Sequence, residues 1–302
     1  MPIQHNMKKT DTFFIISNYN TDPERYLEYC DDYHIYDQSP DTEIREKLKA
    51  KYKKISFVEN TGHNISDYFR FFIDHYDTLP PHMMLAKGNM IGRHISLDFF
   101  DRVYANKYYT MLYDDRGYAD KCGVAYQLYD GAFLEINNSW YALAKPHKYF
   151  ENFNDLLTFI FKNPIIPRWL LFSPGACYIV SREQIEKYPK VFYENLKDLV
   201  SYTYFPSEAY QVERMLHIIF SANYALNDWM HNREQFKERI EQASQEHSQF
   251  YSAARRKFNN VIDRYNKLCI EIRVQRRYTS VLWKHFRNFV TRLIHSLWGS
   301  KL

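Results

Sequence analysis

The chain has few cysteines, and the four it has (Cys30, Cys122, Cys177 and Cys269) are scattered with no CxxC pair among them. That spacing supports neither a disulfide framework nor a zinc site, and it fits a reducing compartment. Long apolar runs are missing too. No stretch approaches the ~20 consecutive apolar residues that a spanning helix requires. The "FFII" that follows Lys8 and Lys9 is too short for the core of a secretory signal, so the expected location is the cytoplasm. Acidic residues stop at Glu271, whereas Arg273, Arg276, Arg277, Lys284, Arg287, Arg292 and Lys301 lie beyond it. Residues 231–302 carry 15 lysines and arginines against 6 acidic residues, so the overall charge of +4 belongs to the tail and the rest of the chain is net negative.

What is present is ample apolar material. With 45% apolar and 18% aromatic residues, 302 residues can bury a sizeable core in one or two domains. Short apolar runs alternate with helical patterns, which is the mark of α/β organisation. "TFFIIS" (12–17), "YHIY" (33–36), "ISFV" (55–58) and "MMLA" (83–86) read as strands. Between them lie the helical "PERYLEYC", the charged "DTEIREKLKAKYKK" and a helix over about 65–76. Four strand–helix units in this length predict a parallel sheet wound in the Rossmann manner, with a ligand at the carboxyl ends of its strands.

The corner "ENTGHNISDYF" (59–69) joins the third strand to its helix. Asn64 and Asp67 have the spacing of a capping box, with Asn64 as N-cap. Gly62 lets the backbone approach a ligand, and free amides at a helix start attract anions such as a diphosphate.

The strand ends carry a resemblance. "SNYNTDPERYLEYC" after the first strand and "YDQSPDTEI" after the second are similar to the opening of the GT-A nucleotide-sugar glycosyltransferases, above all the large inverting family. Asn20 stands where that family has Tyr-Asn, and Asp37, Ser39 and Asp41 stand where it has an Asp-x-x-Ser-x-Asp element. The segments "NTGHNISDYFRFFIDHYDTLP", "VSREQI" and "VERMLHIIF" also resemble a family of bacterial and fungal proteins of unknown function. The first resemblance implies a GT-A-like, Rossmann-type mixed sheet flanked by helices over residues 1–225; the rest, 226–302, lies outside it and reads from its own pattern as a C-terminal helical extension. It implies a nucleotide-sugar donor lying across Asn20, Asp37, Asn60, Gly62, His63 and Asn64, with Lys87 and Asn89 near the diphosphate.

One expected element is missing. GT-A enzymes end the fourth strand with Asp-x-Asp, whose oxygens hold Mn²⁺ or Mg²⁺. This chain has "LAKGNMI", where Lys87 offers a point charge in place of the metal. Metal dependence is therefore open, and Asp114 with Asp115, in "MLYDDRG", is the alternative acidic pair. The acceptor half is expected in residues 110–225, with aromatic-rich "GVAYQLYDGAF" and "NSWYALAKPHKYF" and the corner "SPGACYIVSRE". Glu208, Glu213 and His217 fall on one helix, and Glu213 and His217 share a face by their spacing of four. An inverting transferase needs a base for the acceptor hydroxyl, and Glu213 is the first candidate, followed by Glu208 and His217.

The tail reads as a long charged helix and then a basic amphipathic one. Phe286 belongs to an apolar stripe that Trp283 and Trp298 flank, with Arg287 among the cations that fill the rest, an arrangement suited to an anionic membrane surface. Its rival is packing on the body or on a second copy of the chain through the C-terminal helices. No recognised nucleic-acid module accompanies these cations. The expectation is thus an inverting glycosyltransferase at the cytoplasmic membrane face, acting on a surface polysaccharide or lipid-linked glycan. The runners-up are a transferase of another nucleotide-activated group and a non-catalytic nucleotide- or glycan-binding scaffold.

Overall fold

The computed structural model describes residues 8–114, 125–127, 133–139, 147–275 and 286–293. Its centre is a six-stranded mixed sheet in the order β3-β2-β1-β4-β9-β5. β1 (Phe13–Asn18) pairs in parallel with β2 (Tyr33–Asp37) on one side and with β4 (His82–Lys87) on the other, and β3 (Ile55–Phe57) extends the parallel set beyond β2. β5 (Thr110–Met111) and β9 (Tyr178–Ser181) complete the sheet, β9 running antiparallel to both of its neighbours. The parallel sheet expected from the sequence is therefore the four-stranded part of a mixed one.

Side chains alternate along a strand, and here both faces are covered. Phe14 and Ile16 of β1 join Ile35, Met84 and Ile179 in one apolar cluster, where Tyr26, Phe99 and Phe100 pack. Ile15 faces the other way, with Leu85 and Val180, into the larger cluster that receives the helices α2 (His63–Asp74), α4 (Phe153–Ile160), α6 (Lys190–Val200) and α7 (Ser207–Ser221). This is why β1 and β4 read as continuous apolar runs. α1 (Thr42–Lys51) is capped by Asp41, whose carboxylate accepts from the amides of Glu43 and Ile44. The "PERYLEYC" segment forms a 3-10 turn over Glu24–Glu28 instead of an α-helix, with Tyr26 and Tyr29 buried from it.

α3 (Leu97–Val103) starts on the Ser96 cap, and α5 (Arg182–Glu186) starts on a capping box between Ser181 and Gln184. A second sheet is antiparallel: β6 (Ala125–Gln127), β7 (Phe133–Ile136) and β8 (Trp169–Phe172). Along β7 the inward positions are Phe133 and Glu135, so a carboxylate occupies a core-facing site.

α8 (Arg233–Gln275) begins in the first of two compact units, Met1–His247 and Ser248–Leu302. Met230, Phe236 and Ile240 are buried in the larger apolar cluster, so residues 226–247 belong with the sheet unit and the expected extension is shorter by that segment. In the second unit Val261, Tyr265 and Leu268 are exposed on α8, as are Phe286, Phe289 and Leu293 on the helical stretch 286–293. Among the described residues no helix is long and apolar enough to cross a membrane.

Candidate active site at the strand ends

From β1 the chain moves to β2 and β3 on one side, then crosses to β4 on the other. Loops leaving the carboxyl ends of β1 and β4 therefore diverge and open a crevice. A cavity of about 680 Å³ lies there. Ser17 and Tyr19 reach it from the end of β1, Gln38 from β2, Asn60 and His63 from the loop after β3, and Lys87 and Asn89 from β4. Gly175 and the α7 residues Tyr210, Glu213 and Arg214 line it as well.

Close packing fixes these corners. At the start of α2, Gly62 has φ +68°, and a Cβ there would lie 2.7 Å from the Val200 carbonyl oxygen. The helix thus starts at His63, two residues before the expected place, with Gly62 as N-cap and no side-chain cap. Asn64 is not the cap. Its Nδ2 donates instead to the Gly175 carbonyl at 2.8 Å and to the Tyr68 hydroxyl at 3.1 Å, tying α2 to the Pro-Gly corner before β9. Asp67 is not part of a capping box either. It is fully buried, and its Oδ2 accepts from Ser17 Oγ at 2.6 Å and from Gln38 Nε2 at 2.9 Å. Gln38 Nε2 also donates to the His63 carbonyl at 3.1 Å. One carboxylate therefore gathers three cavity-lining residues from β1, the β2 loop and α2. At β4, a Cβ on Gly88 would collide with the side chains of Asn18 and Thr21, so only glycine allows the chain to leave the strand this close to β1.

Charge is concentrated on the β4 loop and α7. Lys87 is half-buried, and among the described residues its ammonium forms no hydrogen bond or ion pair. Burial lowers its pKa, while the nearby Cys177 and Glu213 act to raise it. Arg93 is exposed and likewise lacks an ion pair among the described residues. Arg214 is 2% exposed and lies over the Phe172 ring. Its Nε donates to Glu135 Oε2 at 2.7 Å and its Nη1 to Glu213 Oε2 at 3.2 Å. Glu213 also accepts the Gly175 amide at 2.6 Å. Burial raises its pKa, and the charge of Arg214, the Gly175 amide and the Lys87 ammonium counteract that rise. His94 is driven to about 3 by burial and by Lys87 and Arg93, so its imidazole is neutral. Among the described residues His94 Nε2 has no hydrogen-bond partner, and the ring packs on Gly175, where φ is +88° and a Cβ would lie 2.9 Å from it.

Of the residues singled out from the sequence, Asn60, His63, Asn64, Lys87, Asn89 and Glu213 line this cavity. Asn20 does not: its φ is +52°, and its amide donates to Ser39 Oγ at 2.7 Å. Asp37 is fully buried and accepts from Asn18 Nδ2 at 2.8 Å and Ser39 Oγ at 2.7 Å, so it holds the β1 and β2 loops together. Gly62 acts through the backbone only. Glu208 is also fully buried, because its carboxylate accepts the amides of Lys148 and Tyr149 and the Tyr202 hydroxyl. At about 100° per residue it stands roughly 140° around α7 from Glu213. His217 shares the Glu213 face but lies a turn further along, with Nδ1 2.9 Å from the Tyr109 hydroxyl.

Asp114 accepts from the Ser96 amide at 2.6 Å and from Ser96 Oγ, beside the start of α3. Asp115, Trp283, Trp298 and most of the two aromatic-rich stretches lie outside the described residues. Phe286 and Arg287 are exposed. Sequence reasoning missed Ser17, Tyr19, Gln38, Arg93, His94, Tyr210 and Arg214. Ser17, Tyr19, Gln38 and Arg214 lie inside the stretches "SNYNTDPERYLEYC", "YDQSPDTEI" and "VERMLHIIF" without being assigned to the site, and Gln38, directly after β2, could have been found by position alone.

The divalent metal implied by the GT-A resemblance finds a poor donor set. The end of β4 supplies Lys87, Gly88 and Asn89 and no carboxylate. Among the described residues, no group of three His, Cys, Asp or Glu side chains could hold a metal ion.

One comparison with known proteins bears on this chain. Residues 28–236 match the model of the family described as Protein of unknown function (DUF3431). The chain belongs to that family. The match includes the loops after β2, β3 and β4, the Pro-Gly corner and all of α7, and hence most of the cavity wall. No curated protein and no solved structure matches the chain.

Proposed function

We propose that this member of the DUF3431 family is a GT-A-like glycosyltransferase that moves a sugar from a nucleotide-sugar donor to a glycan acceptor with inversion. The observation that carries the reading is one cavity, at the switch point of a parallel set of strands, holding an unpaired Lys87 ammonium and the Glu213 carboxylate. Lys87 and Arg93 face it, and among the described residues Glu213, already joined to Arg214, is the sole lining carboxylate, a balance that favours an anionic ligand. Tyr19, Gln38, Asn60 and His63 line its β1–β3 side, where flat rings and amides suit a nucleoside.

In the transfer, Glu213 takes the proton of the acceptor hydroxyl, and the acceptor oxygen bonds to the anomeric carbon. The bond from that carbon to the β-phosphate oxygen breaks, and its electron pair leaves on the diphosphate. Glu213 suits the first role because burial raises its pKa while the Gly175 amide holds one of its oxygens. Arg214, anchored on Glu135, fixes the other. Lys87 and Arg93 face the developing charge of the leaving diphosphate.

We place the enzyme at a membrane face, on a surface polysaccharide or lipid-linked glycan. The support is the exposed Phe286, Phe289 and Leu293 on 286–293, beside Arg287 and Arg292 in a tail without acidic residues after Glu271. The activity is tested by a thermal-shift screen against UDP-, GDP-, CMP- and dTDP-sugars. A donor at 100 times its Kd adds about 2.7 kcal/mol. No shift with any of them would remove the nucleotide-sugar reading.

A further inference from the structure

The loop that leaves β4 carries positive charge where a metal-dependent transferase needs carboxylates, and the acidic side chains described below are committed elsewhere. Asp37 and Asp67 are fully buried, engaged by Asn18 and Ser39 and by Ser17 and Gln38 respectively. Asp114 is engaged by Ser96. Among the described residues Glu213 is the only carboxylate lining the cavity, and it is tied to the Gly175 amide and to Arg214. A hard divalent cation takes about six oxygen ligands, of which the protein must supply at least one or two carboxylates free of other partners. The described residues around β4 offer none.

Lys87, the last residue of β4, and Arg93, six positions on in the loop that follows, both line the cavity, and neither has an ion pair among the described residues. A half-buried ammonium left without a partner is unfavourable unless a ligand supplies the counter-charge. The tight exit at Gly88 sets where Lys87 stands, since any Cβ there would strike Asn18 and Thr21.

We propose that this cavity holds the donor's diphosphate without a divalent metal, with the Lys87 ammonium and the Arg93 guanidinium as the cations on its oxygens. The proposal rests on the transferase reading for its ligand and adds the means of binding. Two fixed cations face the diphosphate, and when the bond to the anomeric carbon breaks the extra electron pair remains on an oxygen they face. The acceptor proton is then on Glu213, so no further reactant enters. An arriving anion also offsets the effect of burial on Lys87 and keeps the ammonium charged.

The probe is inorganic pyrophosphate, the part shared by nucleoside diphosphates, titrated calorimetrically into the full chain in EDTA. Wild type is expected to bind. Lys87→Met should weaken binding roughly ten- to a hundredfold, the range for a charged hydrogen-bonded contact. Arg93→Gln, at an exposed position where folding is not at issue, should weaken it about fivefold. Manganese chloride in place of EDTA should bring no tightening. Binding that appears only with Mn²⁺ would overturn the metal-free site and leave the transferase reading standing. Binding that neither substitution changes would place the anion on other cations, such as those after Glu271, and would also overturn the proposal, as would no binding at all. Pyrophosphate binding with the expected losses, but no turnover of any nucleotide sugar, would uphold the cation site and sink the transferase.

Discussion

Asp67 offers a test of how the cavity floor is built, because its environment makes a quantitative claim. It is fully buried, with Oδ2 taken up by Ser17 and Gln38 and Oδ1 without a partner among the described residues. Burial pushes its pKa up to about 7, against the hydrogen bonds from Ser17 and Gln38 and the charge of Arg70, while Asp37 adds to the rise. In the unfolded chain the same carboxyl titrates near ~3.9. Between those values the folded state holds the proton and the unfolded state has released it, so stability falls as pH rises from 4 to 7. Three pKa units correspond to about 4 kcal/mol, of which about 2.5 kcal/mol accrues between pH 5 and 8.

Asp67→Asn has no charge to bury, and its Oδ1 can accept from Ser17 and Gln38 as the carboxylate does. The amide nitrogen then takes the place of the unpartnered oxygen, at a pH-independent cost. The informative quantity is therefore the difference between the two proteins as a function of pH. Urea unfolding at pH 5, 6, 7 and 8, followed by tryptophan fluorescence, should show the variant gaining on wild type by about 2.5 kcal/mol across the series. Parallel curves would mean that Asp67 is ionised in the folded protein across this range, and the account of the cavity floor would fail.

Glu135→Ala should destabilise the protein by about 3–5 kcal/mol in the same assay, because it strands the buried Arg214 guanidinium; a loss under 1 kcal/mol would show that Glu213 and the Tyr210 carbonyl suffice to hold it. For the tail, Phe286→Ser with Phe289→Ser should leave the melting temperature unchanged, since both side chains are exposed, and should abolish co-sedimentation with vesicles containing phosphatidylglycerol. Equal binding of wild type to neutral vesicles, or undiminished binding of the double variant, would remove the membrane reading.

The strands were legible because β1 and β4 are covered on both faces, and only unbroken apolar runs such as Phe13–Ile16 and Met83–Ala86 fit there. Their carboxyl ends located the cavity in advance. What periodicity could not convey was which polar groups face it. Asp37 and Glu208 are as polar as Glu213, yet the fold uses the first to tie two loops and the second to cap the backbone around Tyr149. Asn64 and Asp67 have capping-box spacing, but tertiary partners from Gly175, Ser17 and Gln38 outweigh the local bonds. Arg214 reads as one more charge on an amphipathic helix. Only the pairing of β7 with β8, which turns Glu135 inward, makes it a buried link between Glu135 and Glu213.

The central claim is that Glu213 deprotonates an acceptor held beside a nucleotide sugar, and Glu213→Gln tests it most directly. With the donor found by thermal shift and a lipid-linked or polysaccharide acceptor supplied, donor affinity and turnover are measured on the same preparations. The glutamine keeps an acceptor for the Gly175 amide, so donor affinity should stay within about twofold of wild type while turnover falls about 10²–10⁴-fold, the usual contribution of a positioned base. Turnover at the wild-type rate in the variant would contradict the assignment, and a wild-type protein that binds the donor yet transfers nothing would contradict the transferase itself.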